Sequence, residues 1–153
     1  MIFETQIING SETIDVNDSE LSALSSFYNA FNTRNMILMQ DSWLNTNEIS
    51  MDNPIGGIRR GWDEIGNGYH KIFNGQAQVY VEFYDFSIHK TENMFFVTGK
   101  ERGYFRTNNI EIPLAIRTSR IFIKVNYNWK QIHHHGSIDN PELLKTYQEA
   151  ILK

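Results

Sequence analysis

Residues 110–137 read IEIPLAIRTSRIFIKVNYNWKQIHHHGS, and this stretch decides the fold. Large apolar residues occupy every second position along residues 110–116, which is the period of a β-strand. Residues 129–137 form a second candidate strand after the turn residues 126–128. Strands joined by so short a turn pair antiparallel, so the stretch predicts a β-hairpin.

The alternation in the first strand of this hairpin changes phase. Apolar residues occupy even positions in residues 110–116 but odd positions in residues 121–125. Because neighbouring side chains of a strand point to opposite faces, we expect a β-bulge between Arg117 and Arg120. Such a bulge would bend the sheet at Arg117.

Two more candidate strands precede the hairpin, at residues 77–90 and 94–106, with turns at residues 91–93 and 107–109. Long strands in succession, joined by short turns, indicate an antiparallel meander. The strand at residues 77–90 is apolar on both faces, although a sheet with one solvated face needs apolar residues on only one face. We therefore expect a second copy of the chain to cover the outer face, as a homodimer. These apolar residues are Val79, Val81 and Phe83 on one face and Tyr80, Tyr84, Phe86 and Ile88 on the other.

Three candidate helices precede the meander. The first begins at a capping residue, Asp18 or Ser19, and carries an apolar stripe with three- and four-residue spacing. A last helix begins at Pro141, after the meander. Between the first helix and the meander come a short helix, a brief strand and a third helix, at residues 35–43, 48–53 and 61–73.

The composition is typical of one small domain. The chain has 153 residues, 41% of them hydrophobic, so it can bury a core without disulfides or metals. We expect residues 18–153 to form a single domain, preceded by an arm or short strand at residues 1–17. A net charge of −4 with scattered basic residues argues against nucleic-acid binding. Without cysteine, a secretory leader or an apolar segment of about 18 residues, we expect a cytoplasmic protein with no membrane partner.

Three motifs indicate a family. They are MDNPIGG at residues 51–57, GWDEIGNGYHKIF at residues 61–73 and WKQIHHHGS at residues 129–137, the last preceded by RTSRIFIK at residues 117–124. With the order of helices and strands, they resemble the SnoaL-like branch of the nuclear-transport-factor-2-like superfamily over about residues 19–138. The resemblance implies a cone-shaped α+β barrel, with helices packed in the concave side of a strongly curved antiparallel or mixed sheet.

The same resemblance implies a class of function but not one activity. Relatives include ketosteroid isomerase, scytalone dehydratase and polyketide cyclases, alongside members that only assemble or transport. We expect the cone to bind a small, partly apolar organic ligand without any cofactor. Catalysis there would be that of an isomerase, cyclase or dehydratase, using general acid–base chemistry on a carbonyl compound. The alternative is a non-catalytic ligand-binding or homo-oligomeric assembly domain, the latter with an interior filled by side chains.

The resemblance to the ketosteroid isomerases fails at two or three catalytic positions, since their partner acid on a later strand is also not recognisable. Their base is an aspartate directly before a proline, where this sequence has Asn53. Asp52 lies one residue earlier and points to the other face of a strand, so it serves as base only if the strand end is twisted. Otherwise it is a solvated turn residue. Their tyrosine in the first helix corresponds to Phe27, with Tyr28 turned about 100° away.

Two histidines share one face of the last candidate strand. His133 and His135 lie there with Gln131, while His134 faces the other way. One interpretation is a proton relay or ligand-binding pair with a near-neutral pKa, in which His133 is the acid–base group. The other is a pair of buried histidines satisfied by backbone or hydroxyl groups. A zinc site would need a third ligand, for which the sequence offers no motif, so no metal is predicted.

The remaining candidates are an arginine and several aromatic residues. A buried arginine is normally paired or faces an anionic ligand, so Arg117 either points to the ligand or pairs with Glu101 or Glu111 at an interface. Aromatic side chains suit a pocket for flat organic molecules. The candidate catalytic residues are Asp52 and His133, and the candidate ligand-binding residues are Tyr28, Trp43, Tyr104, Arg117 and His135.

Overall fold

Capping side chains begin three helices of this protein, whose computed structural model describes residues 1–152. The side chains of Asp18, Asn35 and Asn140 accept hydrogen bonds from backbone N–H groups in the first turns that follow them. Each such cap stabilises its helix by about 1 kcal/mol. Over residues 1–152 no helix combines the length and the apolar character that crossing a membrane requires. The helices are α1 (Ser19–Asn32), α2 (Met36–Ser42), α3 (Gly61–Asn74) and α4 (Pro141–Ile151).

The strands of residues 1–152 form one mixed, curled and open sheet, in the order β1-β4-β5-β6-β7-β2-β3. Strands β2 and β7 run parallel, and all other neighbours run antiparallel. The predicted meander is β4–β7, and the predicted α+β cone is confirmed. The strands are β1 (Ile2–Glu4), β2 (Ser50–Asp52), β3 (Ile58–Arg60), β4 (Gln78–Lys90), β5 (Met94–Arg106), β6 (Glu111–Val125) and β7 (Asn128–Ser137).

A β-bulge bends β4. Asp85 and Phe86 lie opposite the single residue Gly99 of β5, and Asp85 has a left-handed backbone with a φ of 47°. A β-carbon on Gly99 would collide with the Cβ of Phe86, so glycine is required where the two strands approach. The extra residue reverses the faces to which the following side chains of β4 point.

This bulge corrects the prediction that β4 is apolar on both faces. Phe86 and Ile88 are buried on the concave face, where the ring of Phe86 stacks on Phe83 with 4.6 Å between centroids. Tyr80 and Tyr84 are left on the outer face, half-buried. The apolar outer surface that suggested a covering subunit is therefore smaller than predicted, and the homodimer stays a prediction.

Strand β6 keeps one side-chain phase along its length. Its even-numbered residues from Ile112 to Phe122 are all buried, and its pairing with β5 is continuous. The expected bulge between Arg117 and Arg120 is therefore wrong. The polar residues Thr118 and Arg120 take interior positions, so Arg120 points into the cone and Arg117 points out of it.

The irregularity of this hairpin lies on β7 instead. His133 pairs with Ile121 and Gln131 pairs with Phe122, so Ile132 is an extra residue of β7. Gln131 is consequently buried on the concave face, whereas His133 is half-buried on the outer face. The predicted common face of Gln131 and His133 is wrong for this reason.

Helices α1 and α3 cover part of the concave face of the sheet. The ring of Phe27 in α1 packs edge-on against Tyr69 in α3, with 6.4 Å between centroids. Asn32 ties the end of α1 to β4, because its Nδ2 donates to the Val81 carbonyl at 2.8 Å and its Oδ1 accepts from the Val81 N–H at 3.1 Å. The rest of the concave face is left for a cavity, over which α4 lies.

Candidate functional site

A cavity of about 510 Å³ lies between the concave face of the sheet and helices α1, α3 and α4. Most of its wall is apolar, with Phe27 from α1, Tyr69 from α3, Phe105 from β5, Leu114 from β6 and Tyr147 from α4. Pockets that bind small organic molecules have volumes of roughly 300–1,000 Å³ and mostly apolar walls with a few polar groups. The size and lining of this cavity are therefore those of a small-molecule site.

An ion pair forms the polar part of the wall. Arg120 and Glu101 both line the cavity, with 3.1 Å between Nη2 and Oε1, and their side chains are only 3% and 6% exposed. The hydroxyl of Tyr28 donates to Glu101 Oε1 at 3.0 Å and accepts from Arg120 Nε at 3.3 Å. Arg120 Nη1 donates to Gln131 Oε1 at 2.8 Å. These four residues form one buried hydrogen-bond network.

The protonation states within this network follow from its surroundings. Burial by itself lowers the pKa of Arg120, but the contacts with Tyr28 and Glu101 raise it by more, so the guanidinium stays charged. Burial raises the pKa of Tyr28 well above its ordinary value, and the charge of Glu101 raises it further. A neutral phenol therefore bridges a cation and an anion.

Arg120 is held rigidly. Its guanidinium carbon lies 3.7 Å from the centroid of the Phe27 ring, a cation–π contact on the cavity side of α1. Three of its five N–H groups are engaged by Tyr28, Gln131 and Glu101. A guanidinium with N–H groups to spare, fixed in an apolar wall, is suited to hydrogen-bond an oxygen atom of a ligand.

A neutral histidine lies beside the ion pair. His134 lines the cavity, and its Nδ1 lies 3.3 Å from the carbonyl oxygen of Ser119. The tautomer in which Nδ1–H donates to that carbonyl leaves a lone pair on Nε2. Burial, and then the positive charge of Arg120, hold the pKa of His134 well below its ordinary value, so the ring is uncharged at neutral pH.

Two basic side chains line the cavity near solvent. Arg59, half-buried on β3, and Lys71, exposed on α3, both belong to its lining. The guanidinium of Arg59 packs against Gly68 of α3 and occupies the space that a side chain there would fill. Burial raises the pKa of Tyr69 to about 12, so this phenol of the wall is also neutral.

The structure brings Tyr28 to the cavity network but places other sequence candidates elsewhere. Trp43 is buried behind the wall, with 6.3 Å between its ring centroid and that of Tyr69. Tyr104 lies on the outer face, where it stacks on the Tyr80 ring at 5.6 Å between centroids. Arg117 is also on the outer face, and its Nε donates to the hydroxyl of Ser137 at 3.3 Å.

Asp52, His133 and His135 come together on the outer face. Strand β2 runs parallel to β7, so Ser50 pairs with His133 and Asp52 pairs with His135. The Nδ1 atom of His135 lies 2.8 Å from Asp52 Oδ2, and the Nδ1 atom of His133 lies 2.7 Å from the Ser50 hydroxyl. Met51, between Ser50 and Asp52, faces the cavity instead. These candidates therefore form a cluster, but on the opposite side of the sheet from the cavity.

The polar residues of the cavity itself were not predicted from the sequence. Arg120 has the same parity as the apolar residues 112–116 of its strand, and Glu101 has the same parity as Phe95, Val97 and Phe105 of β5. Strict alternation along each strand would have placed both charged groups inside the cone. That signal was hidden by Ile121 and the other odd-numbered apolar residues at the end of β6.

In residues 1–152 a curled seven-stranded sheet surrounds a cavity, with helices on its concave side, and this architecture is that of a small α+β cone. Its sequence matches the SnoaL-like domain family over residues 21–141, so the chain belongs to the SnoaL-like family. The predicted resemblance to the nuclear-transport-factor-2-like superfamily is thereby confirmed. No match is found among curated proteins.

Solved structures share this fold at low sequence identity. A proposed dehydratase of the NTF2-like family from Streptomyces avermitilis is 19% identical, with 78% of this chain and 93% of that chain covered and a TM-score of 0.69. An NTF2-like superfamily protein from Salmonella enterica is 19% identical, with 76% and 85% covered and a TM-score of 0.65. A proposed calcium/calmodulin-dependent protein kinase type II association domain from Thiobacillus denitrificans is 18% identical, with 76% and 91% covered and a TM-score of 0.60. Likeness at this identity shows the fold alone.

Proposed function

We propose that this protein binds a small organic molecule with an apolar body and a carbonyl or carboxylate end in the cavity of its cone. The observation that carries the proposal is Arg120, a charged guanidinium in an otherwise largely apolar wall with N–H groups beyond those its neighbours use. An oxygen of the ligand would take those donors, and the aromatic wall would cover the rest of the molecule.

The charge around the cavity favours an oxygen-rich or acidic group on the ligand. Glu101 compensates Arg120, while Arg59 and Lys71 add positive charge to the lining. A carboxylate entering past Arg59 and Lys71 meets favourable potential before it reaches the apolar interior. The ligand is thereby defined by its chemistry, an apolar body with a polar end, and not as one compound.

Acid–base turnover of a carbonyl compound is the second candidate function. The uncharged ring of His134 supports it, because a neutral imidazole beside a charged guanidinium can accept a proton while the guanidinium stabilises the oxyanion that forms. In that case the acid–base role falls to His134 and not to His133 or Asp52, which face away from the cavity. The proposed dehydratase among the solved structures is in keeping with such a reaction.

The assembly alternative predicts an interior filled by side chains, and a cavity of about 510 Å³ favours ligand binding over it. Pairing of two copies remains compatible with a ligand. Met94 and Phe96 on β5 are 42% and 37% exposed, beside the half-buried Ile121 and Ile123 of β6, and this patch would form the homodimer contact. Light scattering at micromolar protein tests it, and a monomeric mass contradicts it.

The cavity can be closed without touching the ion pair. Ala150 of α4 lines the cavity, whereas the adjacent Glu149 is exposed to solvent. Phenylpyruvate, an aromatic keto acid, is the first probe, with thermal shift and calorimetry as measurements. We expect it to bind the wild type and the control variant Glu149→Trp, and to lose binding to Ala150→Trp, because the indole fills the cavity.

Two results would contradict the ligand proposal. One is equal binding of phenylpyruvate to Ala150→Trp and to the wild type, since the molecule would then bind elsewhere. The other is the absence of any response across a panel of aryl and alkyl keto acids, carboxylates and neutral ketones. Exchange of the CH₂ protons next to the ketone of phenylpyruvate for solvent deuterium, followed by NMR in wild type and His134→Gln, separates turnover from binding alone.

A further inference from the structure

We propose that Asp52, His133 and His135 form a binding site for a divalent transition-metal ion on the outer face of the sheet. One ligand atom from each of the three lies within 4.8 Å of the others. Two imidazoles and one carboxylate are a ligand set that Zn²⁺, Ni²⁺ and Cu²⁺ favour, whereas Ca²⁺ and Mg²⁺ favour oxygen ligands alone. The site is therefore suited to a transition-metal ion of intermediate softness, and Zn²⁺ is the ion used to test it.

The fold supplies the third ligand that the sequence does not indicate. His133 and His135 alternate along β7 and so point to the same face. The parallel pairing of β2 with β7 places Asp52 opposite His135, although the two are 83 residues apart in sequence. The carboxylate and both rings therefore project from two hydrogen-bonded strands, whose backbone fixes their spacing.

Contacts on the outer face already orient two of the three side chains. The Ser50 hydroxyl lies 2.7 Å from His133 Nδ1, which leaves Nε2 of that ring to bind an ion. Asp52 Oδ2 lies 2.8 Å from His135 Nδ1. Two donors of one ion lie about 3.0–3.4 Å apart when the metal–ligand bonds are about 2.0–2.1 Å long. The three donors lie within 4.8 Å of one another, so the side chains would draw closer together to bind one ion.

Exposure gives the ion access. The side chain of His135 is 53% exposed and that of Asp52 is 28% exposed, so an ion can reach the site from solvent. Three protein ligands leave at least one coordination position for water or a small anion. Because these side chains face away from the cavity, the ion and a ligand in the cone would bind on opposite sides of the sheet.

Calorimetric titration of the untagged protein with Zn²⁺ tests the site. We expect one ion per chain with a dissociation constant below roughly 100 µM. The variants Asp52→Asn, His133→Ala and His135→Ala should each weaken binding at least about tenfold, since each removes one of three ligands. His70→Ala is the matched control, because His70 is an exposed histidine on α3 that is not part of the cluster, and it should leave the affinity unchanged.

Two outcomes would overturn the proposal. One is the absence of Zn²⁺ binding by the wild type at that concentration, and the other is an Asp52→Asn variant that binds Zn²⁺ as tightly as the wild type. Circular dichroism of each variant checks the fold, and the exposed position of His135 makes His135→Ala the variant least able to disturb it. Co²⁺ provides a second readout, because its visible absorption reports whether imidazole ligands have bound.

Ser50 is a positioning residue in this site, and Ser50→Ala tests that role. It keeps all three metal ligands but removes the contact that holds the His133 ring. We expect Zn²⁺ affinity to fall by about tenfold, with one ion still bound per chain. Unchanged affinity would show that the ring needs no such support.

Discussion

Arg120 and Glu101 meet inside the cone from neighbouring strands, with 3.1 Å between Nη2 and Oε1. They are not direct partners in the sheet, since Glu101 pairs with Ile116 and Arg120 pairs with Val97. Their side chains lean toward each other along the strands and join Tyr28 and Gln131. The polar chemistry of the cavity therefore depends on two buried charges that stabilise each other.

Removing one of these charges should strongly destabilise the protein. Arg120→Met leaves Glu101 buried without its cation, which costs about 3–5 kcal/mol in the free energy of unfolding. Urea denaturation measures this loss. Arg117→Met, on the exposed side of the same strand, is the control and should change stability by less than about 0.5 kcal/mol. An Arg120→Met protein with the wild-type midpoint would contradict the buried pair.

His134 should make the protein less stable in acid. Burial and Arg120 hold its pKa in the folded protein well below the ordinary value of 6.5, and His133 and His135 add to this effect. The unfolded chain therefore binds a proton at His134 before the folded chain does. The free energy of unfolding falls as the pH drops below about 6.5, by at most about 1.4 kcal/mol per pH unit, until the pH reaches the folded pKa.

The variant His134→Gln isolates this effect from the other histidines. Urea denaturation of both proteins at several pH values between about 7.5 and 5 measures the slope of stability against pH. The wild type should lose stability more steeply than the variant over this interval. Identical slopes would mean that His134 takes up its proton equally in the folded and unfolded chains.

The bulge in β4 is a second place where a single substitution should strongly destabilise the protein. Gly99→Ala places a methyl group against Phe86, so the strands must separate locally, at a cost of about 1–3 kcal/mol. Thermal unfolding measures it. The neighbouring substitution Thr98→Ala, at an exposed position of the same strand, should change the melting temperature far less. Equal effects of the two would contradict the close approach at Gly99.

A third position where substitution should be strongly destabilising is Asn32. Its amide makes three hydrogen bonds to backbone groups, with the carbonyls of Asn9 and Val81 as acceptors and the N–H of Val81 as donor. Asn32→Ala leaves these half-buried groups without partners and should cost about 1–3 kcal/mol. Hydrogen exchange at the Val81 amide should also become faster. An unchanged exchange rate would show that this amide is protected by other contacts.

The local elements of this fold could be predicted from the sequence, because local signals specify them. Asp18, Asn35 and Asn140 cap helices whose positions were expected. The meander follows from the two-residue period of its strands and the turns between them. Strand β3 was missed, because three residues next to the glycines at 56 and 57 carry too short a pattern.

The faces of the strands were harder to predict. In β4, one extra residue at Asp85 reverses the alternation, and the apolar pattern on its own does not reveal where. In β6 the sequence predicted a bulge that the structure does not have. Ile121 lies on the half-buried outer face, and its apolar side chain suggested a bulge that would have turned Arg120 outward. The meeting of Asp52 with His135 depends on the parallel pairing of β2 with β7, which no local pattern encodes.

Three identical side chains in a row leave the alignment of β7 against its neighbours ambiguous. If β7 shifted by one residue against its neighbours, a different histidine would occupy each of these positions on the two faces of the sheet. Gly136 favours the observed alignment, since a β-carbon there would lie 3.1 Å from Pro54 Cδ and 3.3 Å from His134 Nε2, closer than ordinary contact. A shifted strand would bring a bulkier neighbour into that tight spot. The smallest residue of the segment thereby favours the alignment in which His134 faces the interior and His133 and His135 face outward.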